Sequence, residues 1–310
     1  MIIRTPSRIH VTLIDLNGEI GRIDGGVGFA LEEPYIKIRA EKSEDVEIVG
    51  ESFNRDRFEY VARIFKERFG RGIKIEVISD YKPHVGLGSG TQISLAVGKA
   101  YSELYGLNLS TREIARITKR GGTSGIGVAA FEFGGFIVDG GHSKKVKNSF
   151  LPSAFSNAPP APLISRLDFP DWEICLIIPE KKGFFGKKEV DLFEKNTPVK
   201  IEEVRELCHI ILMKLLPAVA EKDLEEFSSA ISRIQEIGFK KAEVNQYGEE
   251  FRKLMKKLQE LGACGMSSTG PTLYLVSEKI NIDEVKEIVN GYDVELILTK
   301  GRNRGAEVEV

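Results

Sequence analysis

The stretch PHVGLGSGTQ, Pro83 to Gln92, alternates glycine with small or apolar residues just before an amphipathic run. Gly86, Gly88 and Gly90 surround Ser89, and glycine lets successive backbone N–H groups converge on one anion because no Cβ obstructs the approach. A helix starting at this point adds the partial positive charge of its unsatisfied amides. Gly86, Leu87, Gly88, Ser89, Gly90 and Thr91 are therefore the candidate phosphate cradle. The hydroxyls of Ser89 and Thr91 suit either a helix cap or an oxygen ligand to phosphate or Mg²⁺. The competing reading is a glycine-rich turn that only caps a helix. The loop is neither a Walker motif, which needs Gly-Lys-Ser/Thr, nor a dinucleotide fingerprint. His84 beside it either contacts an anion or steadies the loop.

Other residues with chemical potential are dispersed. Arg8 and His10 alternate along a predicted strand and so share a face. With Arg22 they suit a phosphate or a carboxylate, since arginine forms bidentate pairs with oxyanions; the alternative is polar residues on an edge strand. DGGVG, Asp24 to Gly28, reads either as a tight turn where the backbone of Gly25 and Gly26 meets a ligand or as a plain hairpin turn. Asp139 and His142 frame DGGH, an aspartate suited to Mg²⁺ and a histidine suited to proton transfer near neutral pH; a solvated turn is the competing view. Arg302 and Arg304 read as a solvated tail, and KKGFFGKK, Lys181 to Lys188, as an exposed basic loop.

The elements that must carry these residues are mixed. PYIKIRA and GIKIEVISD alternate with period two and predict strands, while Phe58, Val61, Ile64, Phe65 and Phe69 form a helical stripe that Gly70 closes. A second stripe runs from Thr91 to Tyr105, and a polar helix from Thr111 to Arg120. The segment from Phe150 to Pro170 contains five prolines and reads as a linker. Beyond it, WEICLIIPE is a buried strand, helical patterns cover roughly 200–216, 222–237 and 247–261, and PTLYLVS, a helix near 282–290 and YDVELILT follow. The expectation is an α+β protein with domains at 1–160 and 161–310.

The chain has 310 residues, 42% hydrophobic and 29% charged, with a formal net charge of −2. That charge provides no field for nucleic acid or an anionic membrane, so neither is an expected partner. No apolar run reaches the roughly 20 residues that span a bilayer, and the amino terminus lacks signal-peptide patterning, so a cytoplasmic location is expected. Cys175, Cys208 and Cys264 have no metal spacing and read as three buried thiols.

Three segments together resemble the GHMP kinase superfamily: PSRIHVTLIDLNGEIG as its first motif, PHVGLGSGTQ as its second, and GACGMSSTGPTLYLV, Gly262 to Val276, as its third. The resemblance implies a ribosomal protein S5-like amino-terminal domain, a ferredoxin-like carboxy-terminal domain and a site in the cleft between them. It also implies that Thr269 and Gly270 back the phosphate loop. RIHVTLIDLNGEIGRIDGGVGFALEEP and RGGTSGIGVAAFEFGGFIVDGGHS are more narrowly similar to the β-ribofuranosylaminobenzene 5′-phosphate synthases, a branch that does not transfer phosphoryl groups. That family joins phosphoribosyl pyrophosphate to 4-aminobenzoate or 4-hydroxybenzoate in methanopterin biosynthesis, releasing CO₂ and pyrophosphate, with Mg²⁺ and without ATP. The resemblance then implies a homodimer, catalytic roles for Arg8, His10, Asp139 and His142, substrate contacts from Arg22, Gly25, Gly26 and His84, and Mg²⁺ at Ser89 and Asp139. Many GHMP kinases carry an aspartate where this chain has Gly127, and Gly90 follows Ser89 where a second serine is common. Both departures count against ATP chemistry, with an ATP-dependent small-molecule kinase as the alternative.

Overall fold

The computed structural model describes residues 1–152, 155–180, 183 and 186–309. Half of the basic segment Lys181 to Lys188 lies outside the described residues.

Alternating side chains build two long strands, β1 (Ile2–Asp15) and β2 (Arg22–Ser43), paired antiparallel with Ile9 opposite Phe29 and His10 opposite Gly28. Residues 16–21 make the turn between them, so Gly25 and Gly26 fall inside β2 and not in a turn. β4 (Gly72–Ser79) pairs with the far end of β2 and carries β3 (Val46–Val49) in parallel on its outer side. β5 (Phe136–Asp139) pairs with β2 over Gly26–Phe29, and β6 (His142–Ser143) pairs with the start of β2.

Four helices pack on this sheet. α1 (Arg55–Phe69) buries Phe58, Val61, Ala62 and Phe65 and stops at Gly70, whose left-handed backbone ends the helix. α2 (Ser89–Tyr105) begins at the glycine loop, and α3 (Thr111–Ile117) opens on a Ser110–Glu113 capping box. α4 (Ile126–Phe133) buries Ile126 to Phe131 as a continuous apolar run, which explains why that run shows no amphipathic period.

The second sheet has the order β11-β8-β10-β9, every pair antiparallel, from β8 (Glu173–Pro179), β9 (Ala263–Met266), β10 (Leu273–Ser277) and β11 (Val294–Lys300). Between β8 and β9 run α5 (Lys187–Asn196), α6 (Ile201–Ile210), a π turn (Ile211–Leu215), α7 (Leu216–Glu221), α8 (Leu224–Ile234), α9 (Gly238–Asn245) and α10 (Gly248–Gln259). α11 (Ile282–Ile288) joins β10 to β11. This is the ferredoxin-like arrangement that the motifs imply. The sequence patterns indicated helices at the positions of α6, α8 and α10 and did not indicate α5, α7 or α9.

The sheets part after β7 (Leu163–Leu167), which pairs with β5, and β12 (Glu307–Glu309) returns to pair with β1. The first sheet therefore recruits residues on both sides of the proline-rich segment. Aromatic rings weld the two layers: Phe29 stacks on Phe169 at 4.5 Å and meets Tyr274 edge-on at 5.7 Å. Arg302, expected in a solvated tail, is buried instead. Its guanidinium pairs with Glu32 at 2.6 Å and Glu307 at 3.1 Å and donates to the carbonyl of Gly305. Arg304 next to it is exposed, as expected. Cys175 and Cys264 are buried, whereas Cys208 is exposed on α6, a correction to the reading of three buried thiols. Among the described residues no helix is long and apolar enough to cross a membrane.

Removing Arg302 takes the one fully buried cation from Glu32 and Glu307 and leaves a cavity at the joint between the layers, although Arg4 and Arg304 still reach these carboxylates. Arg302→Ala is expected to destabilise the fold by about 3–5 kcal/mol, whereas Arg304→Ala shifts stability little. Chemical denaturation of the two variants beside the parent checks the difference.

Candidate active site

The glycine loop is one-sided. Its carbonyls point into the protein: Val85 O accepts from Thr272 N and Oγ1, Gly86 O from Ser267 Oγ at 2.7 Å and from Arg8, and Leu87 O from Arg8 N and Tyr81 Oη. Its amides point the other way. Among the described residues, the N–H groups of Gly86, Leu87, Gly88, Ser89 and Gly90 donate to no acceptor. Gly86 and Gly88 hold this shape at φ of 92° and 83°, the left-handed region that glycine alone enters at little cost. Such a row of outward amides at the start of a 17-residue helix has the geometry that suits an anion. Leu87 buries its side chain and contributes backbone only.

All three motifs meet here. β1 supplies Arg8 and His10, which line the cleft with Thr91, Ser124, Gly127, Ser268 and Thr269. The β9–β10 connection supplies Ser267, whose hydroxyl braces both Gly86 O and His10 N, and Ser268 N, which donates to His10 O at 2.8 Å. Thr269 faces the cleft, while Gly270 sits behind the loop against Met266 and Tyr247. Burial lowers the Arg8 guanidinium to a pKa of about 10, still charged at neutral pH.

His10 is held in one protonation pattern. Burial first, then the charges of Arg8 and Lys240, keep its pKa well below the usual value, so the ring is neutral. Ser124 Oγ lies 3.1 Å from His10 Nε2 and 3.2 Å from Asp139 Oδ2. An ionised Asp139 takes the serine proton, so His10 Nε2 carries the hydrogen that meets Ser124 Oγ. The other nitrogen, Nδ1, is then a bare acceptor, shielded from water and without a protein partner. Asp139 itself is lifted to a pKa of about 6 by burial, partly opposed by the amides of Gly141 and Gly125 and by Ser124.

The cleft also holds two carboxyl groups that sequence patterns did not single out. Glu189 on α5 and Glu243 on α9 both line the cleft. Burial, then the neighbouring charge of Glu243, raise Glu189 to a pKa of about 7. Glu243 pairs with the buried Lys240 at 2.5 Å, and Lys240 donates to Ser268 O at 2.8 Å. The signal for the Lys240–Glu243 pair was a Lys-x-x-Glu spacing on the buried face of a short helix. Ser124 was present in the glycine-rich stretch, but its role needs Asp139 and His10 together in space.

Several expected site residues have other work. His142 lies outside the cleft: Nδ1 is 2.6 Å from Asp24 Oδ2 and Nε2 is 2.8 Å from Pro159 O, so neither nitrogen is open to a substrate. Lys147 completes that buried cluster on Asp24. Asp139 shares its oxygens among Gly125 N, Gly141 N and Ser124, which leaves it a positioning role and no open oxygen for Mg²⁺. Arg22 is exposed and binds the carbonyls of Gly140 and Gly141. Gly25 and Gly26 touch no open space; a Cβ on Gly26 would lie 2.6 Å from Ser124 Oγ, so its role is to admit that serine. His84 is exposed and its carbonyl accepts from Gly183 N. The hydroxyl of Ser89 makes no hydrogen bond to the described residues.

Gly127 packs against Thr91. A Cβ there would sit 3.1 Å from Thr91 Cγ2, and the Gly127 carbonyl accepts from Gln92 Nε2 at 2.9 Å. No carboxylate stands at the place where many kinases of the superfamily carry one.

Comparison with known proteins agrees with this architecture. Residues 56–135 match the family described as GHMP kinases N terminal domain, and residues 215–293 the one described as GHMP kinases C terminal. The phosphomevalonate kinase of Streptococcus pneumoniae superposes with a TM-score of 0.69 at 13% identity, over 97% of this chain and 99% of that one, a likeness of fold alone. Sheet order, glycine loop and family matches define a GHMP kinase fold. A β-ribofuranosylphenol 5′-phosphate synthase of Archaeoglobus fulgidus is 62% identical over 315 residues, covering 99% of each chain. Another, from Methanocaldococcus jannaschii, is 46% identical over 328 residues, covering 99% of this chain and 100% of that one. The chain belongs to the β-ribofuranosylphenol 5′-phosphate synthase family within the GHMP kinase superfamily.

A side chain at Gly88 would strike Arg8, whose Cζ and Nε lie 3.1 Å from the Cβ position, in a backbone conformation that β-branched residues avoid. Gly88→Val is expected to weaken pyrophosphate binding about tenfold or more, and Ser89→Ala by less than about threefold, because the hydroxyl is one contact beside several amides. Titration calorimetry with pyrophosphate checks the order of the two effects.

Proposed function

We propose that the chain transfers a phosphoribosyl group from phosphoribosyl pyrophosphate to 4-hydroxybenzoate with loss of CO₂ and pyrophosphate, giving a ribofuranosylphenol 5′-phosphate. The observation that carries this reading is the one-sided loop, whose free amides suit a diphosphate leaving group, in a cleft without a kinase-type carboxylate at Gly127. The product named for the relatives is a phenol, which favours 4-hydroxybenzoate over 4-aminobenzoate as acceptor.

The chemistry asks three things of the protein. As the bond from the ribose carbon to the diphosphate oxygen breaks, negative charge grows on the departing group, and the loop amides and Arg8 receive it. Positive character grows on the sugar, and the carboxylates of Glu189 and Glu243 lie across the cleft to stabilise it. The ring carbon bearing the carboxylate attacks, His10 Nδ1 takes the phenolic proton, and departure of CO₂ leaves its electron pair to restore the aromatic ring. The proton then returns to the phenolate oxygen.

Mg²⁺ fits this donor set. Glu189 lines the cleft with Glu243, which is paired with Lys240, and Mg²⁺ is commonly held by one or two carboxylates plus substrate phosphates. Glu189 and Glu243, with the Ser89 hydroxyl, would hold it; bound there, it would neutralise the leaving group.

Incubation with phosphoribosyl pyrophosphate, Mg²⁺ and each benzoate tests the reading. CO₂ and pyrophosphate are expected in equal amounts with 4-hydroxybenzoate, and at a lower rate with 4-aminobenzoate; release from neither acid overturns the proposal. The relay adds a pH dependence. As pH falls through about 6, Asp139 takes a proton, stops accepting from Ser124, and frees that hydroxyl to donate to His10. Turnover is therefore expected to decline on the acid side near pH 6, and Asp139→Asn to cut kcat about tenfold or more and erase that limb. A wild-type profile flat between pH 7 and pH 5 rules the relay out.

A further inference from the structure

On the opposite flank of the first turn of α2 from Thr91 lie two arginines that the chemistry above does not use. Arg57 comes from the first turn of α1, and Arg120 follows α3 at the rim of the cleft, next to Gly121. Arg57 donates one bond to Ser94 Oγ at 2.9 Å, and Ser94 Oγ donates to Gly90 O at 2.7 Å. Arg120 lies across Gly90: a Cβ on that glycine would be 3.1 Å from Arg120 Nη2, so only glycine leaves the guanidinium room against the helix start.

Neither arginine forms an ion pair, and the Arg120 side chain makes no hydrogen bond among the described residues. The Nε atoms of both are shielded from water and have no acceptor. Burial, then the charge of Arg57, lower Arg120 to a pKa of about 9, and the ring of Tyr60 beneath Arg57 at 5.3 Å supplies no countercharge. Two like charges drawn together without a carboxylate destabilise the fold unless an anion joins them, and a buried donor without an acceptor calls for such a partner. Two structural arginines elsewhere in the chain look different. Arg302 has Glu32 and Glu307, and Arg4 has Glu32 and Glu33.

The amides of Ser89 and Gly90 are free on the same turn. We propose that Arg57 and Arg120 form, with these amides, a second anion subsite continuous with the cradle, which holds the outer phosphoryl group of a diphosphate. Guanidinium forks match the oxygens of a terminal phosphate in a way that backbone amides alone do not. The subsite thus gives the loop a preference for a diphosphate over a single phosphate. It rests on the proposed transfer reaction only for the identity of the donor, because pyrophosphate binding needs no turnover.

The experiment is titration calorimetry of the full chain with pyrophosphate, orthophosphate and ribose 5-phosphate, for the parent, Arg120→Ala, Arg120→Lys and Arg57→Ala. Circular dichroism and melting curves identify any variant that fails to fold, and Arg120→Lys keeps charge and bulk where alanine collapses. Pyrophosphate affinity is expected to fall about tenfold or more in both alanine variants and less in the lysine variant. Orthophosphate and ribose 5-phosphate are expected to change less than threefold. Unchanged pyrophosphate binding in folded Arg120→Ala or Arg120→Lys overturns the subsite, as does a loss confined to ribose 5-phosphate. If pyrophosphate binding depends on Arg120 while neither benzoate yields CO₂, the subsite stands and the transfer reaction falls; the reverse pattern removes the subsite alone.

Discussion

Everything in the cleft depends on the division of labour along residues 85–90: each carbonyl is taken by the protein, and each amide from Gly86 to Gly90 is left for something else. A peptide that turns its acceptors inward must present its donors outward, because the two lie on opposite sides of the same plane. The braces come from distant parts of the chain, Arg8 on β1, Tyr81 after β4, and Ser267 and Thr272 around the β9–β10 connection. The loop is therefore set by the meeting of both sheets, and a change in either one reaches the anion site through a carbonyl.

The same principle explains how a kinase-like framework accommodates another reaction. Under the proposed reading the cradle receives a phosphate chain whatever bond is broken to it, so what distinguishes the chemistry is the group placed next to it. Gly127 packs tightly on Thr91, and the available basic nitrogen is on His10, oriented through Ser124 by Asp139. The carboxylates lie across the cleft on Glu189 and Glu243. Cations gather around the start of α2, while on α9 the buried Glu243 is matched by Lys240.

How much of this was legible beforehand follows from where each signal resides. The cradle, the Arg8–His10 pair and the two-layer α+β framework were readable because glycine spacing and strand alternation are local. Asp139 and His142 looked alike in DGGH, yet one orients the serine relay and the other is locked to Asp24 and Pro159, a difference made by strands β2 and β5 meeting. Glu189, Lys240 and Glu243 escaped notice because α5 and α9 are short and mix charge into their buried faces, where a stripe pattern fails. Arg302 resembled a tail residue because its partners, Glu32 and Glu307, flank it from opposite directions along the chain.

The return of β12 to β1 has a bearing on how the chain is made. The first sheet receives its edge strand, and its joint receives Arg302, only after the entire second sheet has been synthesised. While the chain is still growing, the outer edge of β1 stands without that partner and Glu32 without its buried cation. That edge and that joint are therefore completed only once residues 302–309 are present.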